Sequence, residues 1–460
     1  MTTKRKRKKK RSKKAVKLDS LKQINLNAAG LDIGSEEIWT CVPEGRDEES
    51  VRVFPSFTPD LYALADWLQE CDVETVAMES TGVYWIPIYE ILEARGFEVY
   101  LVNARHIKNV PGKKTDVMDC QWIQQLHTYG LLQASFRPEE EMAALRSYIR
   151  HRGNLTRYRS GHIQHMQKAL HLMNLLLPKV VTDITGKTGM EIIRAIVRGT
   201  HDPVKLAQYR DPRCRSSKED IAKALTGNYR PEHLFALKQA LALYDFYSQQ
   251  IEDCDIEIEQ KYAAFKPVID TKANPLSPRS KRPSKNEPDF NLRAALYRVC
   301  GVDLTAIDGL NTLTVQQIIS EVGTDMSKFP TVKHFTSWLT LAPHNDVSGG
   351  KVLRSKTKKS KNRAAQAFRM AAQSVSRSHS ALGAFYRRMH IKHGGGAKAI
   401  TATAHKIARI FYFMLKHKQD YKDPGQEYYE QKYKERIIKS LKRKARSLDM
   451  ELVPARGVSR

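Results

Sequence analysis

Two aspartates three residues apart, Asp116 and Asp119, stand in the stretch KKTDVMDC (residues 113–120), directly after two lysines. Residues with this spacing share one face of a helix, so both carboxylates can point at a single site. The nearest other acids are Glu98 upstream and Glu139 downstream, which leaves the pair alone in a basic stretch. Mg²⁺ prefers carboxylate oxygens among protein ligands, so a magnesium site at this pair would need further acids from elsewhere in the chain.

Two further acids interrupt or end apolar runs. Asp32 lies inside GLDIGS (30–35), where the pattern predicts a buried strand, and an unpaired buried carboxylate is costly. Glu79 ends the apolar run VETVAM (73–78). Each acid alone also fits an ordinary role, such as a strand end, a helix cap or an exposed helix face. Together they predict a site for two Mg²⁺ ions, or Mn²⁺, about 3.5–4 Å apart, the arrangement that assists phosphodiester chemistry.

The elements that must position these acids follow from hydrophobic periodicity. Three apolar runs joined by short turns predict three leading strands, and alternating helices and strands follow them. This order is the one expected of a ribonuclease-H-like (RuvC-like) α/β domain. The predicted strands are 27–35, 36–44, 51–57, 73–78 and 97–103, and the predicted helices are 58–71, 84–96 and 116–130.

The net charge of the chain indicates which class of molecule it binds. The chain carries 77 basic and 50 acidic residues, a formal charge of +27. The first eighteen residues hold eleven Lys or Arg and no acid, which leaves +16 on the remainder. A positive charge of this size favours nucleic acid, whose phosphates attract cations and release counterions.

Other classes are disfavoured. No apolar run approaches the roughly 20 residues of a membrane-spanning helix, and the charged N-terminus lacks the apolar stretch of a signal peptide. The six cysteines form no CxxC pair, which indicates a reducing interior and disfavours a structural zinc site. His162 and His165 have a ligand-like spacing, but a basic helix face explains them as well. We therefore expect a cytoplasmic, nucleoid-associated protein that makes no membrane contact.

Composition divides the chain into six predicted segments. A Pro-, Ser- and Lys-rich stretch marks the main boundary, and basic runs mark both ends. The central part is helical and basic, and residues 231–265 suit a long helical hairpin or coiled coil. The segments are a disordered basic arm (1–20), a RuvC-like catalytic domain (21–140), a helical or coiled-coil region (141–268), a linker (269–292), a mostly helical C-terminal domain (293–425) and a basic tail (426–460).

Several motifs resemble those of the DEDD-type transposases of insertion sequences, a family that includes the Piv-type DNA invertases. They are GLDIGS, AMESTGVYW (77–85), LVNARHIKNVPGKKTDVMDC (101–120) and the SGG loop (348–350), and the resemblance spans about 28–140 and 295–421. It implies that the second domain is a transposase domain. It also implies the four metal-binding acids Asp32, Glu79, Asp116 and Asp119. The chain departs from the family at Cys120, where alanine is usual and where another small residue should not disturb the metals.

The resemblance also implies a nucleophile. In this family a serine in a short Ser-Gly loop is thought to attack DNA, and that position corresponds to Ser348 in DVSGGK (346–351). A hydroxyl beside two glycines can approach a phosphate closely. The stretch RSKTKKSKN (354–362) carries Arg and Lys where the family commonly has Gly. The added charge of this stretch favours nucleic acid.

Two groups of cations are predicted to contact nucleic acid. The first surrounds the aspartate pair, where a solvated surface is the alternative, and the second follows the Ser-Gly loop. The first group is Arg105, Lys108, Lys113 and Lys114, and the second is Lys351, Lys356, Lys358, Lys359 and Arg363.

The function expected from these features is DNA transposition or recombination by metal-assisted transesterification. The resemblance further implies a structured guide RNA encoded by the element, DNA partners at the element ends and target, and a homo-oligomer (dimer or tetramer) with residues 231–265 as a candidate interface. Two alternatives remain open. One is a RuvC-like nuclease or junction resolvase that hydrolyses DNA without the serine, and the other is a non-catalytic nucleic-acid-binding protein.

Overall fold

The computed structural model describes residues 22–80, 82–103, 116–278 and 283–453, with only the backbone described at Asp116. The chain divides into two compact units, Met1–Arg137 and Pro138–Arg460. The predicted basic arm lies outside the described residues, as do the last seven residues of the predicted basic tail.

A five-stranded mixed sheet forms the centre of the first unit. Its order is β3-β2-β1-β4-β5, in which β1 pairs antiparallel with β2 and parallel with β4. The β2–β3 pair is antiparallel and the β4–β5 pair is parallel. The prediction of three leading strands followed by alternating helices and strands is thereby confirmed. The strands are β1 (Ala28–Ile33), β2 (Glu37–Cys41), β3 (Val51–Pro55), β4 (Thr75–Glu79) and β5 (Glu98–Val102).

Helices cover both faces of this sheet. On one face, α1 (Thr58–Glu70) and α2 (Trp85–Ala94) enclose a core with Leu31 and Met78 of the sheet. On the other face lies α3 (Asp116–Thr128). Side chains alternate along a strand, so the strand residues that face α3 are the neighbours of those that face α1 and α2. The apolar residues of α3 pack against them in a second cluster, which comprises Ala77, Val102, Ile123, Leu126 and Leu132.

Gly30 allows α3 to lie directly on β1. A Cβ atom at this position would stand 2.4 Å from the backbone nitrogen of Gln124 and 2.5 Å from the carbonyl oxygen of Cys120. Both atoms belong to the helix backbone, so no side-chain rotation can relieve the overlap. The glycine therefore sets the distance between α3 and the sheet.

We expect Gly30→Ala to destabilise the first unit by about 2 kcal/mol, because α3 must move away from β1. Thermal and urea unfolding followed by circular dichroism would measure the loss. Gly153→Ala is the matched control: it lies in helix α4 (Glu140–Leu172), and nothing stands within 4 Å of its added Cβ. That change should leave stability unchanged or raise it by up to about 1 kcal/mol. Equal effects of the two substitutions would contradict the packing argument.

His127 fixes the other end of α3 to the sheet. Its ring is 1% exposed, and its Nε2 lies 2.8 Å from the Thr75 hydroxyl. That hydroxyl donates its single proton to the carbonyl oxygen of Glu98 at 2.9 Å, so it accepts a hydrogen bond from Nε2. Burial lowers the pKa of His127 to about 4, and the folded protein therefore holds this imidazole neutral near neutral pH.

The lowered pKa of His127 predicts acid sensitivity. Below an unfolded-state pKa of about 6.5, the unfolded chain binds a proton that the folded chain excludes until about pH 4. Stability should therefore fall by about 2 kcal/mol between about pH 7 and pH 5, and the loss should level off below the folded pKa. Urea unfolding across this range measures it. His127→Gln, which can still donate to Thr75, should remove this part of the pH dependence; an unchanged slope would contradict the assignment.

Apart from one hairpin, the elements described in the second unit are helical. Within the described part of the chain, no helix combines the length and the hydropathy needed to cross a membrane. The hairpin strands are β6 (His344–Ser348) and β7 (Lys351–Lys356). After α4 come α5 (Leu177–Val180), α6 (Lys187–Val197), α7 (Pro203–Ala207), α8 (Lys218–Ala224), α9 (Pro231–Ala264), α10 (Leu292–Cys300), α11 (Thr312–Val322), α12 (Val332–Trp338), α13 (Arg363–Ser374), α14 (Ala381–His393), α15 (Gly396–His417) and α16 (Gln426–Arg446).

The two longest helices, α4 and α9, pack along each other. Arg152 of α4 is buried and pairs with Asp255 of α9, and it also donates to the carbonyl oxygen of Asn286 at 3.0 Å. Neighbouring Arg150 donates to both carboxylate oxygens of Glu321 in α11, at 2.8 and 2.7 Å. These arginines hold the long helices, part of the predicted linker and α11 in one compact unit.

Candidate active site

Asp32 and Glu79 occupy equivalent places on neighbouring parallel strands. The printed register of β1 with β4 runs from Ala28 opposite Thr75 to Leu31 opposite Met78. Each acid is the next residue on its strand, and both are half-buried. Cross-strand neighbours of this kind lie on the same face of a sheet. The two carboxylates therefore stand side by side at the same end of the parallel pair.

Both carboxylates lie on the face that α3 covers. Side chains alternate along a strand, so Asp32 shares a face with Gly30 and Glu79 shares a face with Ala77. Gly30 touches the backbone of α3, and Ala77 packs in the cluster that α3 helps to form. The side chains of Leu31 and Met78 lie on the opposite face of the sheet, which α1 and α2 cover.

The direction of α3 brings its first turn to the same end of the sheet. Gln124, in the second half of the helix, donates from Nε2 to the carbonyl oxygen of Ala28 at 3.3 Å, near the start of β1. Cys120, one turn earlier, contacts Gly30. The helix thus runs antiparallel to β1, and its first turn lies towards Asp32. That turn begins at Asp116 and contains half-buried Asp119.

The pKa of Cys120 indicates that Asp32 lies near this turn. Its thiol donates to the carbonyl oxygen of Val117 at 3.1 Å. The neighbouring Cys41 side chain, burial and the negative charge of Asp32 raise the pKa of Cys120. Cys120 therefore stays protonated, which disfavours it as a metal-binding thiolate. Both cysteines are free.

The donor set suits a hard divalent cation. Asp32, Glu79 and Asp119 offer only carboxylate oxygens, which fits Mg²⁺ or Mn²⁺ better than zinc. Among the residues whose side chains are described, no group of three or more His, Cys, Asp or Glu is arranged to hold a metal ion. The side chain of Asp116, the fourth predicted acid, is outside that set. The strand register and the direction of α3 place Asp32, Glu79 and Asp119 towards the same end of the sheet, and the four-acid metal site remains a prediction.

Ser348 lies at the tip of the hairpin in the second unit. It is the last residue of β6 and pairs with Lys351, the first residue of β7. Gly349 and Gly350 between them have φ angles of 55° and 75°, the left-handed conformation that two-residue hairpin turns require. All residues from His344 to Lys356 are exposed, so the hydroxyl is open to solvent.

The predicted nucleic-acid contacts divide by position. The group Arg105, Lys108, Lys113 and Lys114 lies outside the described residues. The other group is exposed on the hairpin, on the segment that leads into α13 and at the first residue of α13; its members are Lys351, Lys356, Lys358, Lys359 and Arg363. Sequence reasoning missed Arg354, an exposed cation of β7 between two predicted contacts. The alternation of side chains along β7 could have shown that Arg354 shares a face with Lys356.

Two models of known protein families match the chain. Residues 29–175, which contain all four acids, match the DEDD transposase model of the IS110 type, described as a transposase. Residues 303–387, which contain Ser348, match the model described as the transposase IS116/IS110/IS902 family. The two matches together span about half of the chain. None of the curated proteins compared with the chain matches it. The chain belongs to the IS110-type DEDD transposases, and DNA is its partner.

Proposed function

We propose that the protein cuts and rejoins DNA strands by transesterification, using a ribonuclease-H-like (RuvC-like) first unit and a serine from the second. Asp32, Glu79, Asp116 and Asp119 hold Mg²⁺, as two ions for which Mn²⁺ can substitute, and Ser348 is the nucleophile. The observation that carries the proposal is the position of Asp32 and Glu79, side by side on the sheet face that α3 covers.

The acids have a defined task in this chemistry. Bound divalent ions neutralise charge that develops on the attacking and leaving oxygens of the phosphodiester. The two strand acids are held by sheet pairing, and the two helix acids are held by the packing of α3 through Gly30 and His127. Rigid supports of this kind keep ligands within the small tolerances that catalysis requires. The protein thereby fixes the carboxylates before DNA arrives.

The serine step conserves phosphodiester bonds. Ser348 Oγ loses its proton and forms a bond to phosphorus, while the bond from phosphorus to one deoxyribose oxygen breaks and that oxygen takes up a proton. A deoxyribose hydroxyl of the second strand then attacks the seryl phosphate, and the serine oxygen regains a proton. One ester replaces another at each step, so no external energy source is needed.

The remaining partners belong to the proposal as the family resemblance implies them. The exposed cations after the hairpin bind DNA phosphates, and a structured RNA encoded by the element guides the choice of DNA. A dimer or tetramer joins the strands, and the long helix α9 is the candidate interface. The high positive charge of the chain supports nucleic-acid binding in general.

The proposal is tested by incubating the full-length protein with DNA of the element's ends, target DNA and the element's transcript. Strand joining should occur with Mg²⁺ or Mn²⁺ and stop when EDTA removes the ions. Omission of the transcript tests the guide RNA separately. If joining continues at full rate in EDTA, the metal-assisted mechanism is wrong.

A further inference from the structure

We propose that one face of the β6–β7 hairpin is a track for the backbone of one DNA strand, on which Lys351 positions the phosphate that Ser348 attacks. The role of Lys351 rests on the proposed function of Ser348, whereas the track itself does not. We call this surface the cationic face; it comprises His344, Asp346, Ser348, Lys351, Arg354 and Lys356.

A β-bulge creates the cationic face. Asp346 pairs with Arg354 whereas Val347 pairs with Val352, so Leu353 is an extra residue on β7. Without it, alternation would place Val352 on the same face as Arg354. The bulge moves Val352 to the face of Val347 instead, because cross-strand partners share a face.

The register then gathers the cations around the serine. Lys351 is the direct cross-strand partner of Ser348, and Lys356 is the partner of His344. Directly paired residues have Cβ atoms about 5 Å apart, which places the Lys351 side chain beside the serine hydroxyl. The contact between His344 Nε2 and Asp346 Oδ1, at 3.6 Å, agrees with this division into two faces.

The cations of this face are available to a ligand. Lys351, Arg354 and Lys356 are exposed, and within the described residues none of them forms an ion pair. Same-face residues recur about every 6.7 Å along a strand, a spacing close to that of neighbouring phosphates on a DNA strand. Asp346, the acid of the face, already has His344 as a neighbour. The face therefore offers a row of cations that leads to Ser348.

The exposure of the hairpin also points to a partner. Val347, Val352 and Leu353 on the other face are 59%, 57% and 70% exposed. A two-stranded hairpin without a packed face is marginally stable in water, so ligand contacts would order it. Duplex DNA is the partner that the charge favours, since a two-stranded ribbon fits the major groove while its cations meet phosphates.

The test measures how the full-length protein binds fluorescein-labelled mixed-sequence duplex DNA, single-stranded DNA and RNA over a range of salt concentrations. Lys351→Gln and Arg354→Gln should each reduce the slope of log affinity against log salt by about one for DNA. Lys351→Arg, which keeps the cation, should retain the original slope. Lys333→Gln in α12 removes an exposed cation elsewhere in the same unit and should leave the slope unchanged.

The positioning role of Lys351 is tested separately, by the rate of strand joining. At saturating DNA, Lys351→Gln should slow strand joining about a hundredfold, and Lys351→Arg should restore the rate to within a few fold. Unchanged DNA slopes in both glutamine variants, or changes with RNA alone, would overturn the track. Changed slopes without any dependence of joining on Ser348 would keep the track and reject the nucleophile. Normal joining through Ser348 with unchanged slopes would reject the track and keep Ser348 as the nucleophile.

Discussion

Asp32→Asn is expected to abolish DNA cleavage and joining while the protein stays folded and binds DNA. The substitution keeps the shape of the side chain but removes the negative charge that a metal ligand needs. Loss of one ligand should cost several kcal/mol of transition-state stabilisation, which corresponds to about a thousandfold in rate. Single-turnover cleavage of labelled DNA ends in Mg²⁺ would measure it.

Glu70→Gln is the control for Asp32→Asn. It removes an exposed carboxylate from the last turn of α1, on the sheet face opposite α3. We expect its cleavage rate to match that of the wild type. If Asp32→Asn keeps full activity, the acids of β1, β4 and α3 do not hold the catalytic metal.

Ser348→Ala is expected to eliminate strand joining, by on the order of 10⁴-fold or more, because the seryl phosphate can no longer form. The exposed hydroxyl can be removed with little effect on stability. Joining and nicking should be assayed separately on the same DNA. Ser355→Ala is the matched control, since Ser355 lies on the same hairpin but pairs with Asn345 on the other face.

The same variant separates the two enzymatic alternatives. If Ser348 is the nucleophile, both nicking and joining disappear. A nuclease or junction resolvase of the same fold would activate water instead, so Ser348→Ala would still nick DNA in Mg²⁺. Retained nicking at the wild-type rate would therefore contradict the serine mechanism and favour the hydrolytic one.

The order of elements in the first unit was predictable because it is encoded locally. The apolar runs that became β1 and β4 are continuous in sequence, and the spacing of Leu61, Leu64 and Leu68 predicts a helix. The chemical types of the acids and their placement on these elements were also visible. This part of the fold depends on neighbours within a few residues.

The convergence of the acids depends on distant contacts that the sequence does not display. It requires β1 to pair with β4 in one register and α3 to lie on the face of Gly30 rather than that of Leu31. The role of Gly30 in this close approach is visible only when Gln124 and Cys120, some ninety residues away in the chain, are placed against it. A one-residue shift in register would have turned Asp32 to the other face.

Tertiary contacts of the predicted linker are also not visible in its composition. The sequence predicts a linker at residues 269–292 because they are rich in Pro, Ser and Lys. In the structure, Arg152 donates to Asn286 and Arg293 donates to the Ser277 carbonyl oxygen at 2.9 Å, within the second compact unit. The bulge at Leu353 was likewise invisible, since it depends on the pairing of β6 with β7.

The most direct test of the central claim replaces Mg²⁺ with Fe²⁺ in the full-length protein and adds ascorbate and peroxide. Hydroxyl radicals formed at the bound ion cut the polypeptide next to its ligands, and the fragments are mapped by mass spectrometry. We predict cuts near residues 32, 79 and 116–119 that excess Mg²⁺ suppresses and that Asp32→Asn and Asp119→Asn remove, while Glu70→Gln retains them. Cuts confined to other places, or unchanged in both aspartate variants, would contradict the metal site.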